Sequence, residues 1–96
     1  MTLFITKHTL SGVRTGATAA MADGAAVDGQ RLATGTNSQV FTGPAEFRLT
    51  TDADTFVSIA ALAADLDTAS AKALRIGAGG VEWVRLDNGN WQFKAS

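Results

Sequence analysis

The sequence predicts an all-β chain, a small antiparallel β-sandwich or barrel-like domain, and three observations carry that reading. Turn-forming residues punctuate the 96 residues, with 10 Gly, 12 Thr and one Pro, recurring about every 8 to 12 positions as in small sandwiches and barrels. Between them lie short runs in which apolar and polar side chains alternate, the period that gives a strand one buried face. Near the C-terminus, Asn88-Gly89 is the pair preferred in type I′ hairpin turns, because both positions need positive φ.

Taken in order, the expected strands are Thr2–Thr6, Val13–Ala19, Arg31–Thr34, Ser38–Phe41, Glu46–Thr50, Thr55–Leu62, Ala73–Ile76, Val81–Asp87 and Asn90–Ala95. The first is rich in β-favouring residues and reads as an N-terminal arm or edge strand within residues 1–10. Glu46–Thr50 alternates around Phe47 and Leu49, and Val57, Ile59 and Ala61 alternate against Phe56, Ser58 and Ala60. Thr51-Asp52-Ala53-Asp54 between them supplies turn chemistry, so the two read as an antiparallel pair. The last two strands read as a hairpin spanning Val81–Ala95. A two-residue loop at Asn88-Gly89 places Val84, Leu86, Trp91 and Phe93 on one face, and Trp83, Arg85, Asp87, Gln92 and Lys94 on the other. Two Ala-rich segments fit less simply. Ala17–Ala26 is interrupted by Asp23-Gly24 and reads as a loop. Ala60–Leu74 has helix propensity, yet Asp65, Asp67, Thr68 and Ser70 favour turns and caps, so a strand ending near Leu62 followed by an exposed loop is preferred to a helix.

Composition bounds what such a fold can do. The chain is one domain, residues 1–96, and surface scaling puts about two-thirds of its area inside. Hydrophobic residues make up 46%, but 18 of them are Ala, leaving 26 bulky apolar side chains. Ala removes little area from water, so copies that share buried surface would help hold the chain together. Eight basic and nine acidic residues give a net charge of −1 without like-sign runs, against a nucleic-acid face or a polybasic membrane patch. Lys7 and His8 interrupt Met1–Leu10, so no apolar signal core is expected.

Catalytic and ligand constellations are sparse. No Cys is present and His8 is the sole His, which leaves no zinc geometry and no Cys nucleophile. No G-x-S-x-G elbow accompanies His8. Asp52/Asp54 and Asp65/Asp67 could pair as acid and base, but Asp at these positions suits turns. Counted as calcium loops, they put Ala63 and Ile76 where a bidentate Glu is required. Gly77-Ala78-Gly79-Gly80 lacks phosphate-loop spacing and reads as a connector. No catalytic residue, cofactor or metal is therefore expected. Trp83, on the hairpin's second face, belongs to a second core layer, to a protein interface or to a sugar-stacking surface.

From Val40 onward the order of features resembles a group of small tailed-bacteriophage virion proteins, of the capsid decoration (cement) or head-surface β-sandwich type. The features are Gly43-Pro44, Phe47-Arg48-Leu49, Thr55-Phe56-Val57-Ser58-Ile59, Asp67-Thr68-Ala69-Ser70-Ala71, Leu74-Arg75-Ile76-Gly77-Ala78-Gly79 and Val81-Glu82-Trp83-Val84-Arg85-Leu86. They cover a little over half the chain and are mostly strand and turn signals. Where the family commonly places Pro before its last hairpin, Gly77-Ala78-Gly79 has none. The resemblance implies a β-sandwich on the capsid surface, often trimeric, with no active-site residues to carry across.

The expectation is a structural virion protein, made in the host cytoplasm, that binds the major capsid protein as an oligomer, taken to be a homotrimer, and stabilises the shell. It is not expected to be an enzyme, or to bind nucleic acid or membrane. The expected interface residues are Leu3, Phe4, Ile5, Trp83, Arg85 and Lys94. The rival reading is a receptor- or glycan-binding module of a head spike or tail.

Overall fold

Six strands form one antiparallel sheet in the computed structural model, which describes residues 1–9 and 26–96. They are β1 (Thr2–His8), β2 (Ala26–Ala33), β3 (Phe41–Thr51), β4 (Thr55–Ala60), β5 (Leu74–Ile76) and β6 (Val81–Ala95), in the spatial order β2-β1-β3-β6-β4-β5. The all-β expectation holds. The expected strand Val13–Ala19 and nearly all of the Ala17–Ala26 loop lie outside the described residues. In the Ala60–Leu74 stretch the loop reading holds: β4 stops at Ala60 and a single 3₁₀ turn, Ala63–Asp65, follows. Asp67 then accepts a bond from the Ala69 amide at 2.9 Å, the local competition that keeps such residues out of helices. Gly77–Gly80 serves as the connector into β6, with Gly80 N donating to Gly77 O at 2.8 Å.

Alternation decides which face is buried. On β3, Phe41, Ala45, Phe47, Leu49 and Thr51 are buried, whereas Thr42, Pro44 and Arg48 are exposed. Leu3 and Ile5 of β1, Leu32 of β2, Val57 of β4, Ile76 of β5, and Leu86, Phe93 and Ala95 of β6 complete the core. At its centre the rings of Phe41, Phe47 and Phe93 meet pairwise at 5.3–5.8 Å between centroids, the tilted and edge-on spacing that aromatic rings prefer.

That cluster requires a bent sheet. Phe41 and Phe47 are six residues apart on one strand, about 20 Å if straight, yet their ring centroids are 5.4 Å apart. The bend lies where β3 pairs with β6. Gly43 faces Gly89 and Ala45 faces Leu86, so Asp87 and Asn88 stand opposite Pro44 alone. This is a β-bulge on β6. Pro44, joined to Gly43 by a cis peptide, has no N–H and so loses nothing at the unpaired position. Gly89 takes φ +139°, a backbone region suited to glycine. The Trp91 indole Nε1 donates to the Asp87 carbonyl at 3.0 Å, satisfying a group at the bulge.

The bulge corrects the expected hairpin. Val81–Ala95 is one strand of 15 residues, and Val84 and Leu86 pair with β3, not with Phe93 and Trp91. A two-residue turn and a one-residue bulge both move the apolar positions from even numbers (Val84, Leu86) to odd ones (Trp91, Phe93, Ala95). The alternation therefore has two physical solutions, and long-range pairing selects the bulge.

Two further expectations change. β3 and β4 do not pair with each other, because β6 lies between them, bonded to β3 through residues 81–91 and to β4 through 92–95. A straight β6 would span about 45 Å, but its bend brings Thr51 and Thr55 together, their hydroxyls 2.7 Å apart. Nor is β1 an edge or a free arm: β2 and β3 flank it on both sides.

Two substitutions test this fold. A Cβ at Gly43 would collide with the backbone carbonyl of Asp87, so Gly43→Ala is expected to lower unfolding free energy by about 1–3 kcal/mol. Phe47→Ala, which opens the ring cluster, should cost about 3–5 kcal/mol. Urea denaturation followed by tryptophan fluorescence measures both, and unchanged midpoints would contradict the bend and its core.

Candidate functional site

Because the odd positions of β3 and the matching positions of β1 and β6 fill the core, the remaining side chains form a continuous outer face. Register aligns them in rows. Arg31, Phe4, Thr50 and Val81 make one row across β2, β1, β3 and β6. Gly29, Thr6, Arg48 and Trp83 make the next, followed by His8, Glu46 and Arg85. Neighbouring positions in a row are close enough for side chains to interact.

Two features mark this face. The Trp83 ring remains 46% exposed and leans across β3 to meet the His8 ring at 5.2 Å, tilted by 52°. Beside it, on β1 and β2, lies an open hollow of about 470 Å³ bounded by Phe4, Thr6, Gly29, Arg31 and Arg48. Gly29 brings no side chain to the hollow, and a Cβ there would sit 2.9 Å from the Ile5 carbonyl oxygen, so the β1 and β2 backbones approach closely at this point. The Arg31 guanidinium stands 5.6 Å above the Phe4 ring, within cation–π range. Among the described residues Arg31, Arg48 and Arg85 form no ion pair, whereas Arg75 pairs with Asp54 at 3.3 Å. Glu46 lies opposite Arg85 of β6 and two positions from Arg48 along β3.

Some expected interface residues meet here and others do not. Phe4, Trp83 and Arg85 share the outer face. Leu3 and Ile5 are 0% and 2% exposed, so they belong to the core; Phe4, between them in sequence, points to the other side. Lys94 lies beyond the bulge, opposite Ser58 and Asn37, away from Trp83. The core alternative for Trp83 fails, since its half-exposed ring lies opposite the buried face. Arg31, Arg48 and Gly29 were not foreseen, because only the pairing of β1 with β2 and β3 brings them beside Phe4.

Asp52, Asp54 and Asp67 take structural roles, each accepting a backbone amide. Asp52 accepts the Thr2 amide at 2.9 Å, and Asp54 accepts the Ala78 amide at 2.9 Å. Ser58 Oγ accepts the Asp67 amide at 3.0 Å. Among the described residues no group of three or more His, Asp or Glu is placed to hold a metal ion, and no helix is long and apolar enough to cross a membrane. Comparison with family models, curated proteins and solved structures finds no match.

The two indoles are expected to report the two sides of β6. Acrylamide should quench Trp83 (measured in Trp91→Phe) more strongly than half-buried Trp91 (measured in Trp83→Phe). Trp83→Ala should cost no more than about 1 kcal/mol of stability, as for a side chain outside the core. Equal quenching would place Trp83 under cover.

Proposed function

We propose that this chain is a structural protein of a tailed-phage virion that decorates the capsid. In this reading it binds the major capsid protein on the outer shell surface, as an oligomer, and stabilises the shell mechanically. The observation that carries it is the outer face at β6, where Val81, Trp83 and Arg85 stand exposed on a rigid sheet. Exposed Trp and Arg on a preformed surface are the residues that dominate protein–protein binding energy. A sheet orders them in advance, so docking costs little side-chain and loop entropy. Binding across neighbouring capsid subunits would oppose their separation under internal pressure. The half-exposed Trp83 ring also supports the glycan-binding alternative, since sugar rings stack on such surfaces.

The test is pelleting with empty tailed-phage capsids. The wild-type chain is expected to co-sediment and raise the capsid melting temperature, and Trp83→Ala with Arg85→Glu should weaken binding by about tenfold or more. Absence of co-sedimentation, together with a Trp83 emission shift on adding saccharides, would replace decoration by glycan binding.

A further inference from the structure

On the far side of β6 from the hollow, the loop after β4 displays a feature that the fold does not use. Five consecutive residues, Ala61-Leu62-Ala63-Ala64-Asp65, are exposed, with Leu62 at 64%. Runs of exposed apolar residues are disfavoured on a solvated surface unless they meet a partner. This one is held in shape. The 3₁₀ turn Ala63–Asp65 is closed by Asp65 N donating to Leu62 O at 3.0 Å and Leu66 N to Ala63 O at 3.2 Å. Leu66, 8% exposed, anchors its end. The product is a preformed knob with an apolar tip and one carboxylate. Unlike Asp67, the Asp65 side chain has no bond to its own loop among the described residues.

The hollow over Gly29 has the opposite character. Phe4 offers an aromatic wall, and Arg31 and Arg48 offer guanidinium groups that form no ion pair among the described residues. Leu62 matches Phe4 in polarity, and Asp65 matches Arg31 and Arg48 in charge. The knob leaves β4 and the hollow lies over β2, β1 and β3, with β6 between them, so the open knob and open hollow of one chain do not fill each other.

We infer that the hollow is occupied by the Ala61–Asp65 knob of a second copy of this chain, Leu62 against Phe4 and Asp65 against Arg31 and Arg48. Each copy carries one knob and one hollow, so the contact is made reciprocally in a two-fold pair or repeated from copy to copy around a ring. This rests on the decoration reading, since it specifies how the decorating oligomer is built, and it leaves Trp83 and Arg85 available to the shell.

Light scattering without capsids tests it. At about 0.1 mM the wild type is expected at two or more times the 9.9 kDa chain mass. Leu62→Lys and Arg31→Glu should each fall to the single-chain mass with unchanged circular dichroism. Asp65→Arg combined with Arg31→Glu and Arg48→Glu should restore the assembly, because every contact then pairs opposite charges again. A wild-type monomer, assembly that survives Leu62→Lys, or a folded triple variant that stays monomeric would overturn the inference. Capsid pelleting of the monomeric Arg31→Glu chain separates the two ideas: binding by that monomer preserves decoration whatever the mass measurement shows, and an assembly that never pellets removes decoration alone.

Discussion

The close approach of β3 and β6 at Gly43 and Gly89 is the constraint on which the rest of the structure depends. A Cβ at Gly43 would run into the Asp87 carbonyl, so only glycine allows this approach, and Gly89 supplies the positive φ that the bulged strand needs. The extra residue at Asp87-Asn88 turns β6 sharply, and Pro44 occupies the place where no ladder hydrogen bond is made. From that bend comes the closure of the sheet on Phe41, Phe47 and Phe93, and the meeting of Thr51 with Thr55 at the two ends of β6.

Closing the core from one face of the sheet has a consequence for the other face. The inner side takes Leu3, Ile5, Phe47, Leu49 and Leu86, which are most of the large side chains on those strands. The outer side keeps Phe4, Trp83 and Val81 among three arginines, a composition closer to that of an interface than of a solvated sheet. Among the described residues, seven of 23 large hydrophobic side chains remain substantially exposed. A chain with so few bulky residues that leaves this many outside its core gains by covering them. Assembly does so without enlarging the chain.

Legibility differed sharply among the elements. The exposed Asp-rich loop after β4, the position of the turn between β3 and β4, and the glycine connector before β6 could all be read locally, because turn chemistry acts over a few residues. The bonds of Asp52 and Asp54 could not, since they take amides from Thr2 and Ala78, far away in sequence. The outer face could be read only in part. Phe4 and Trp83 stood out as aromatic residues in strand patterns, but Leu3 and Ile5 looked equally available. Nothing in Thr2–Thr6 alone says which phase of an alternating strand meets the core. Arg31 and Arg48 carried no signal, being ordinary charged residues until strand pairing set them around Gly29.

By itself, the amino-acid order determined the β class, most of the turns and the alternation within each strand, since these follow from backbone sterics and side-chain periodicity over short distances. Only the tertiary structure decided that Val81–Ala95 is a single bulged strand, that β6 separates β3 from β4, and that β1 is internal. The physical reason is that a parity change is a local property with two solutions, whereas the choice between them depends on which distant backbone supplies the hydrogen bonds. That choice rests on residues far apart in sequence: Gly43 against Gly89, and Phe41 and Phe47 against Phe93.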